Sequence, residues 1–448
     1  MDPSALRRWF LSRLVSRRFS PSQVTKRRRQ AERRRLAESR PHVVEYFHQV
    51  DDGYSHLAAQ LLGRFAQRYG VELRCHLVRG PEGRNVADAE LLLKLSRYDA
   101  SLIASQYGLS FPERTDAPAT QSVELAQAIL ASLDEQALAQ HLADVSDALW
   151  SGDGARLEQL ARDTGRADSS SVAVRLEAGT TRRAELKHYS GAMFHYEGEW
   201  YWGVDRLHYL EARLAELGLD TAAGEEPIAP CPDVDFGGFS DSSELTLEFY
   251  PSLRSPYTSI VFDETVALAE QAGVNFRMRP VLPMVMRGVP ATLEKGMYIF
   301  FDTAREARRR GVPYGQFFDP IGNPVRLCYS LYPWAVEQGR GTELLSSFLR
   351  HAFAMGVNTN TTKGLRRVVE AAGLSWRDAK AHLGKPGWED FLEDNRLAMY
   401  EGGLWGVPSY RLLDRTDKPL LEVWGQDRLW LVAREIRRHR ERQASAVV

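Results

Sequence analysis

The sequence predicts an α/β protein made of two copies of one unit, each a βαβ element, a helical insertion and a closing ββα element. Three observations lead there. The chain has 448 residues, 44% hydrophobic and 26% charged, which exceeds one ordinary core and suits two domains of about 200 residues. Residues 42–78 align with residues 245–281 at a constant offset of 203, pairing Glu45 with Glu248, Tyr54 with Tyr257, Gly70-Val71 with Gly273-Val274, and Arg74 with Arg277. The same offset continues through Asp99 with Asp302, Ala104 with Ala307 and Gly108 with Gly311. A second anchor, WGVDRL at 202–207, matches WGQDRL at 424–429 in the same order along the chain. Two ordered anchors predict a repeated domain rather than a chance likeness.

The elements of each copy follow from periodicity. Alternating apolar residues at 43–47 and 245–249 predict a first strand. The stretch 257–272 places Val261, Leu268 and Ala269 on one side of a helix. A second β-rich segment at 71–78 and 274–281 completes a βαβ unit, whose strands should be parallel with a right-handed crossover. Periodic runs at 125–142 and 344–354 predict a helical insertion, and a β-pair with a last helix closes each copy. The predicted organisation is a basic extension at 1–40, a first domain at 41–218, a linker at 219–243, a second domain at 244–440 and a tail at 441–448. The linker assignment rests on the Pro, Gly and acidic residues of 219–243.

Composition excludes several classes. A net charge of −1 leaves no electrostatic reason for the folded domains to hold nucleic acid. No apolar run approaches the roughly 18 residues a membrane span requires. Cys75, Cys231 and Cys328 are the only cysteines and are far apart. They form neither CxxC nor a zinc spacing, which predicts a reducing, cytoplasmic setting. His188, His195 and His208 show no metal-ligand spacing with a third ligand, so no metal is expected. Tyr329, Tyr332 and Trp334 read as aromatic core or a pocket wall. Residues 1–40 differ from the rest, with twelve Arg and one Lys against Asp2, Glu32 and Glu38. Two readings stand: a solvated helical extension, or an arm contacting a membrane surface, nucleic acid or an acidic partner. A mitochondrial leader is a third, weakened by Glu32 and Glu38.

Ser255 precedes Pro256, a residue suited to the first turn of a helix, so Ser255 is a candidate N-cap. Pro408 in the GVPS segment is a candidate cis-proline. The segments FYPSLRSPYTSIV (249–261), GGLWGVPSY (402–410) and VWGQDRLWLV (423–432) resemble kappa-class glutathione transferases and 2-hydroxychromene-2-carboxylate isomerases of the DsbA-like thioredoxin fold. The resemblance covers about 244–440 by motif, and 42–218 only through the repeat. It implies two tandem thioredoxin-like domains and glutathione as cofactor. Ser255 would stabilise its thiolate, with Tyr257, Val407, Pro408, Gln426, Asp427 and Arg428 in the binding site. A helix N-terminus independently favours a thiolate or carboxylate. Ser255 as a plain cap, Pro408 as an ordinary loop proline, and Asp427 with Arg428 as a structural cap and ion pair are the bland alternatives. Arg254 is expected either beside the site or in solvent.

The family's Gly-Asn-x-Pro-Pro loop is replaced here by RPVLPMVMRGVP (279–290), which weakens the implied isomerase substrate. In the first copy Asp52 stands where Ser255 does, Gly53 replaces Pro256, and Ala192-Met193 is expected where Val407-Pro408 lies. That copy is read as non-catalytic, with the tandem forming an intrachain pseudodimer. The expected activity is glutathione-dependent isomerisation or transfer on a small electrophile. A non-catalytic binding or scaffold protein is the alternative. A dithiol oxidoreductase is disfavoured because exchange needs a thiolate and a resolving thiol.

Overall fold

A computed structural model describes residues 4–86, 88–112, 116–237, 242–289 and 291–446. Part of the expected linker (238–241), Pro290 and the last two residues of the tail lie outside the described residues. The chain divides into two compact units, here the first unit (Arg27–Pro232 with Thr292–Lys295) and the second (Met1–Lys26, Asp233–Ala291 and Gly296–Val448). The 1–40 extension is therefore divided between the units, and 292–295 leaves the expected second domain.

Each unit holds one four-stranded sheet. In the first, β1 (Val43–His48), β2 (Glu72–Leu77), β3 (Met193–Tyr196) and β4 (Glu199–Trp202) run in the order β2-β1-β3-β4. In the second, β5 (Thr246–Tyr250), β6 (Asn275–Met278), β7 (Ser409–Leu413) and β8 (Pro419–Trp424) run in the order β6-β5-β7-β8. β1 pairs β2 and β5 pairs β6 in parallel, while the closing pairs are antiparallel. Both sheets thus have the predicted βαβ–insertion–ββα arrangement.

The crossover helices end on glycine for a steric reason. Gly70 and Gly273 take φ of 55° and 64°, the left-handed cap that a Cβ disfavours. The second-unit crossover is one helix, Pro256–Ala272, with Val261, Leu268 and Ala269 buried. Its core includes Phe249 stacked on Tyr410, with ring centroids 5.3 Å apart. The first-unit crossover breaks into Gly53–Ala59 and Leu62–Tyr69. The run at 125–142 also breaks, because Asp134 caps a new helix, Glu135–Trp150, by accepting from the Ala137 amide. An N-cap signal inside an apolar period overrides the period.

Part of the expected linker is tied down. Arg68 pairs with Asp220 at 2.8 Å, and the Glu211 carboxylate accepts from the amides of Ile228 and Ala229. Residues 220–229 are therefore part of the first unit's surface. Tyr329, Tyr332 and Trp334 are buried, as core residues. No helix among the described residues is long and apolar enough to cross a membrane.

Candidate functional site

Ser255 caps the helix Pro256–Ala272. Its backbone is extended (φ −89°, ψ 116°) and its Oγ accepts from the Thr258 amide at 3.1 Å. That bond satisfies one of the amides left open at a helix start. The same hydroxyl donates to the Val407 carbonyl at 3.4 Å, a long contact that is easily redirected. Ser255 is half-buried, so its hydroxyl is not sealed in the core.

The Val407–Pro408 peptide is cis. Pro408 is buried immediately before β7 and Val407 is half-buried. The Pro408 carbonyl accepts from the Gly425 amide at 2.9 Å, which fastens the proline loop to the end of β8. Gly425 has φ of 118°, and a Cβ there would lie 2.5 Å from Asp427 Oδ1. The positive φ favours glycine at this position, and a Cβ would also force the Asp427 carboxylate aside. Ser255, Val407, Pro408 and the 425–427 turn are thereby brought together, although about 150 residues separate Ser255 from Val407 in the chain.

The WGQDRL turn is less available than the sequence suggests. Gln426 is buried, its Nε2 donating to Glu306 at 3.0 Å, while its backbone carbonyl accepts from Arg310. Arg428 is also buried, with Nη1 donating to the Asp427 carbonyl at 3.2 Å. Both side chains are buried within the turn, Gln426 against Glu306 and Arg428 against the Asp427 carbonyl. Asp427 alone keeps a half-buried carboxylate.

Residues 246–437 match the DSBA-like thioredoxin domain family. This region is a DSBA-like thioredoxin domain. Among solved structures, the chain is similar to 2-hydroxychromene-2-carboxylate isomerase at 17% identity, covering 45% of this chain and 98% of that one, with a TM-score of 0.38. It is also similar to the cytosolic disulfide reductase DsbM from Pseudomonas aeruginosa at 18% identity, covering 45% and 99%, with a TM-score of 0.33. A probable DsbA oxidoreductase from Streptomyces coelicolor aligns at 20% identity over 42% of this chain and 88% of its own, with a TM-score of 0.33. No curated protein matches the chain.

Other residues of the DSBA-like domain frame Ser255. Tyr257 donates to the buried Asp302 at 2.8 Å, tying the helix start to the insertion. Tyr54 makes the same 2.8 Å bond to Asp99 in the first unit, so this contact accompanies the fold whether or not a serine is present. Arg254 is neither free in solvent nor aimed at Ser255. It forms a two-pronged pair with Asp319 at 2.9 and 3.1 Å. Buried Tyr329 accepts from the Leu253 amide at 3.3 Å and donates to the Val281 carbonyl at 3.0 Å, holding the turn that carries Ser255. Asp319, and the tie from the core residue Tyr329 to this turn, escaped sequence reasoning, because nothing local links them to residues 253–255.

The first unit has a different chemistry at the corresponding place. Asp52 caps its helix, accepting from the Ser55 amide and hydroxyl at 2.9 Å each. The strand register corrects one expectation. Glu45 faces His195 and Glu248 faces Arg411, so Gly191-Ala192, one residue earlier than expected, corresponds to Val407-Pro408. Burial raises the Asp52 carboxyl to about 6, against the lowering effect of its Ser55 hydrogen bonds. A raised folded-state value means that this group contributes most below its ordinary range, and that the contribution is lost as pH rises through 6. Asp52→Asn keeps a capping oxygen and removes the buried charge. It is expected to stabilise the first unit by about 2 kcal/mol at pH 8 and by almost nothing at pH 4. Denaturant midpoints at the two pH values measure this, and equal shifts at both would contradict it.

The cysteines lie elsewhere. Cys75 and Cys328 are buried, and burial pushes both thiols upward, Cys75 to about 12. Neither is suited to supply a thiolate, and no cysteine stands at either capping position. A groove of about 780 Å³ lies on the first unit, lined by Ala59, Leu62, Leu73 and Ala139 among others.

Proposed function

We propose that the DSBA-like domain binds glutathione at Ser255 and catalyses isomerisation or conjugation of a small electrophile. The observation that carries this reading is the meeting of the Ser255 hydroxyl with the Val407 carbonyl at a helix start that bears no cysteine. The thiol end of glutathione fits these residues. The hydroxyl can turn from Val407 to a sulfur, and the helix start favours negative charge there. The Val407 backbone offers strand-like pairing to a peptide ligand. At the γ-glutamyl end, Asp427 is the one side chain of the 426–428 turn that remains reachable, and it suits an ammonium group.

When bound, glutathione would supply a thiolate that adds to an electrophilic carbon. The chain's own part is to lower the thiol pKa through the Ser255 hydroxyl and the helix start, and to orient the ligand through Val407 and Asp427. A dithiol mechanism lacks both its nucleophile and its resolving thiol at this position.

A second reading is favoured by one detail. The Ser255 hydroxyl is already satisfied by Thr258 and Val407, which is all that a structural cap requires. A non-catalytic binding or scaffold protein would need no more.

Calorimetric titration of glutathione into the wild type, Ser255→Ala and Asp427→Ala separates the two readings. Micromolar to millimolar binding, weakened about tenfold by Asp427→Ala, supports the site. A bound-thiol pKa raised by roughly one unit in Ser255→Ala, read from thiolate absorbance, assigns that hydroxyl its role. No binding at several millimolar removes the enzyme reading.

A further inference from the structure

The helix Ala5–Arg18 packs inside out. Its docked side is polar. Arg8 is 2% exposed and donates to the carbonyls of Asp319 and Ile321 at 2.7 and 2.6 Å. Ser12, 1% exposed, accepts from the Asp319 amide at 3.0 Å, and Ser16 accepts from the Phe317 amide at 2.9 Å. Its outward side carries the large apolar residues. Leu6 is 77% exposed, Phe10 59%, Leu14 52%, Trp9 46% and Leu11 44%. A helix on a globular domain ordinarily buries such a set and exposes its polar residues.

Cations are interleaved on this outward side. Arg7, Arg13 and Arg17 are exposed, and Arg13 lies over the Trp9 ring at 5.1 Å. The helix contains no acidic residue. Its fourteen residues give a length of about 21 Å, too short to span a bilayer but enough to lie along one.

We propose that this outward face docks on an anionic lipid surface, with Leu6, Phe10 and Leu14 entering the headgroup–acyl boundary. Arginine stems follow the apolar side chains into that boundary while their guanidinium groups remain at the phosphates. The exposed Leu6, Leu11 and Leu14 argue for lipid over nucleic acid, since leucine neither stacks on bases nor bonds to them. The polar docking through Arg8, Ser12 and Ser16 leaves this face outward while holding the helix on the second unit. The proposal is independent of the Ser255 reading.

The test uses the full chain and vesicles of phosphatidylcholine with or without phosphatidylserine, read by co-sedimentation. Binding is expected only with phosphatidylserine and should fall with added salt. The triple variant Leu6→Ser, Phe10→Ser and Leu14→Ser should lose at least about tenfold in partitioning. The variant Arg7→Gln, Arg13→Gln and Arg17→Gln should lose roughly a hundredfold. All six positions are exposed, so unchanged thermal unfolding is expected in both variants. Absence of wild-type binding at low salt overturns the proposal. So does binding unaffected by the three serines, which would mark charge attraction alone. Tighter binding to a single-stranded oligonucleotide than to vesicles would also overturn it, in favour of nucleic acid.

Discussion

Glu248→Ala is expected to destabilise the DSBA-like domain by about 3 kcal/mol, and to lower its melting temperature by roughly 10 °C. Glu248 is 1% exposed in the middle of β5. Its carboxylate accepts from the Tyr250 hydroxyl at 2.7 Å and pairs with Arg279 at 2.8 Å, Arg277 at 2.9 Å and Arg411 at 3.3 Å. Removing the acid leaves three cations gathered around one buried point without their counter-charge, which costs more than the bonds themselves. Arg277 and Arg279 are partly exposed and can turn to water, which keeps the expected loss at the lower end of that for a broken buried pair.

The pH dependence identifies the mechanism. Burial pushes the Glu248 carboxyl upward, but hydrogen bonds from Tyr250 and Arg279 more than offset this and hold it below its ordinary range. A lowered folded-state value gives stability that is present above the ordinary carboxylate range and lost as pH falls through the folded value. The gap between wild type and Glu248→Ala should therefore be full at pH 7 and narrow below about pH 4. Circular dichroism melts across that range measure it. A gap under about 1 kcal/mol at pH 7, or one constant with pH, would show that the cluster is only a solvated surface network.

Gly406→Ala is expected to cost about 2–3 kcal/mol and to displace the proline loop. A Cβ at this position would lie 2.3 Å from Nε1 and 2.5 Å from Cε2 of Trp424. The indole is rigid and packs against the buried Trp405, with ring centroids 4.9 Å apart, so it has little room to withdraw. The loop must move instead, and it carries Val407 and Pro408. Ser255 would then lose its contact with the Val407 carbonyl. Chemical unfolding gives the stability change. If the glutathione site is real, titration should also show affinity reduced at least about tenfold. Full stability in Gly406→Ala would mean that Trp424 can move away, and the strict geometry inferred for this loop would fail.

How much was legible in the sequence varies by element. The strands and the crossover helix of the second unit were readable because their signals are local: period-two apolar residues at 245–249, a Ser-Pro helix start, and a glycine at the helix end. The break at Leu133-Asp134 was missed because one capping acid interrupts an otherwise continuous apolar period. The role of Asp220 was missed because acidic, glycine-rich composition marks a linker unless an arginine elsewhere, here Arg68, happens to bind it.

The sequence by itself determined the two βαβ–insertion–ββα units, the absence of a dithiol at either helix start, and Ser255 as a helix cap. Each follows from residue type and spacing, which survive any arrangement of the rest. Tertiary structure alone decided which side chains of the 426–428 turn are reachable, because burial of Gln426 and Arg428 depends on Glu306, Arg310 and the body of the insertion. It also decided that Arg254 pairs with Asp319, and that the first helix turns its arginine and serines inward and its leucines outward. Periodicity finds the faces of a helix. Only the surface it meets, here the backbone carbonyls and amides of 317–321, selects the face that is buried.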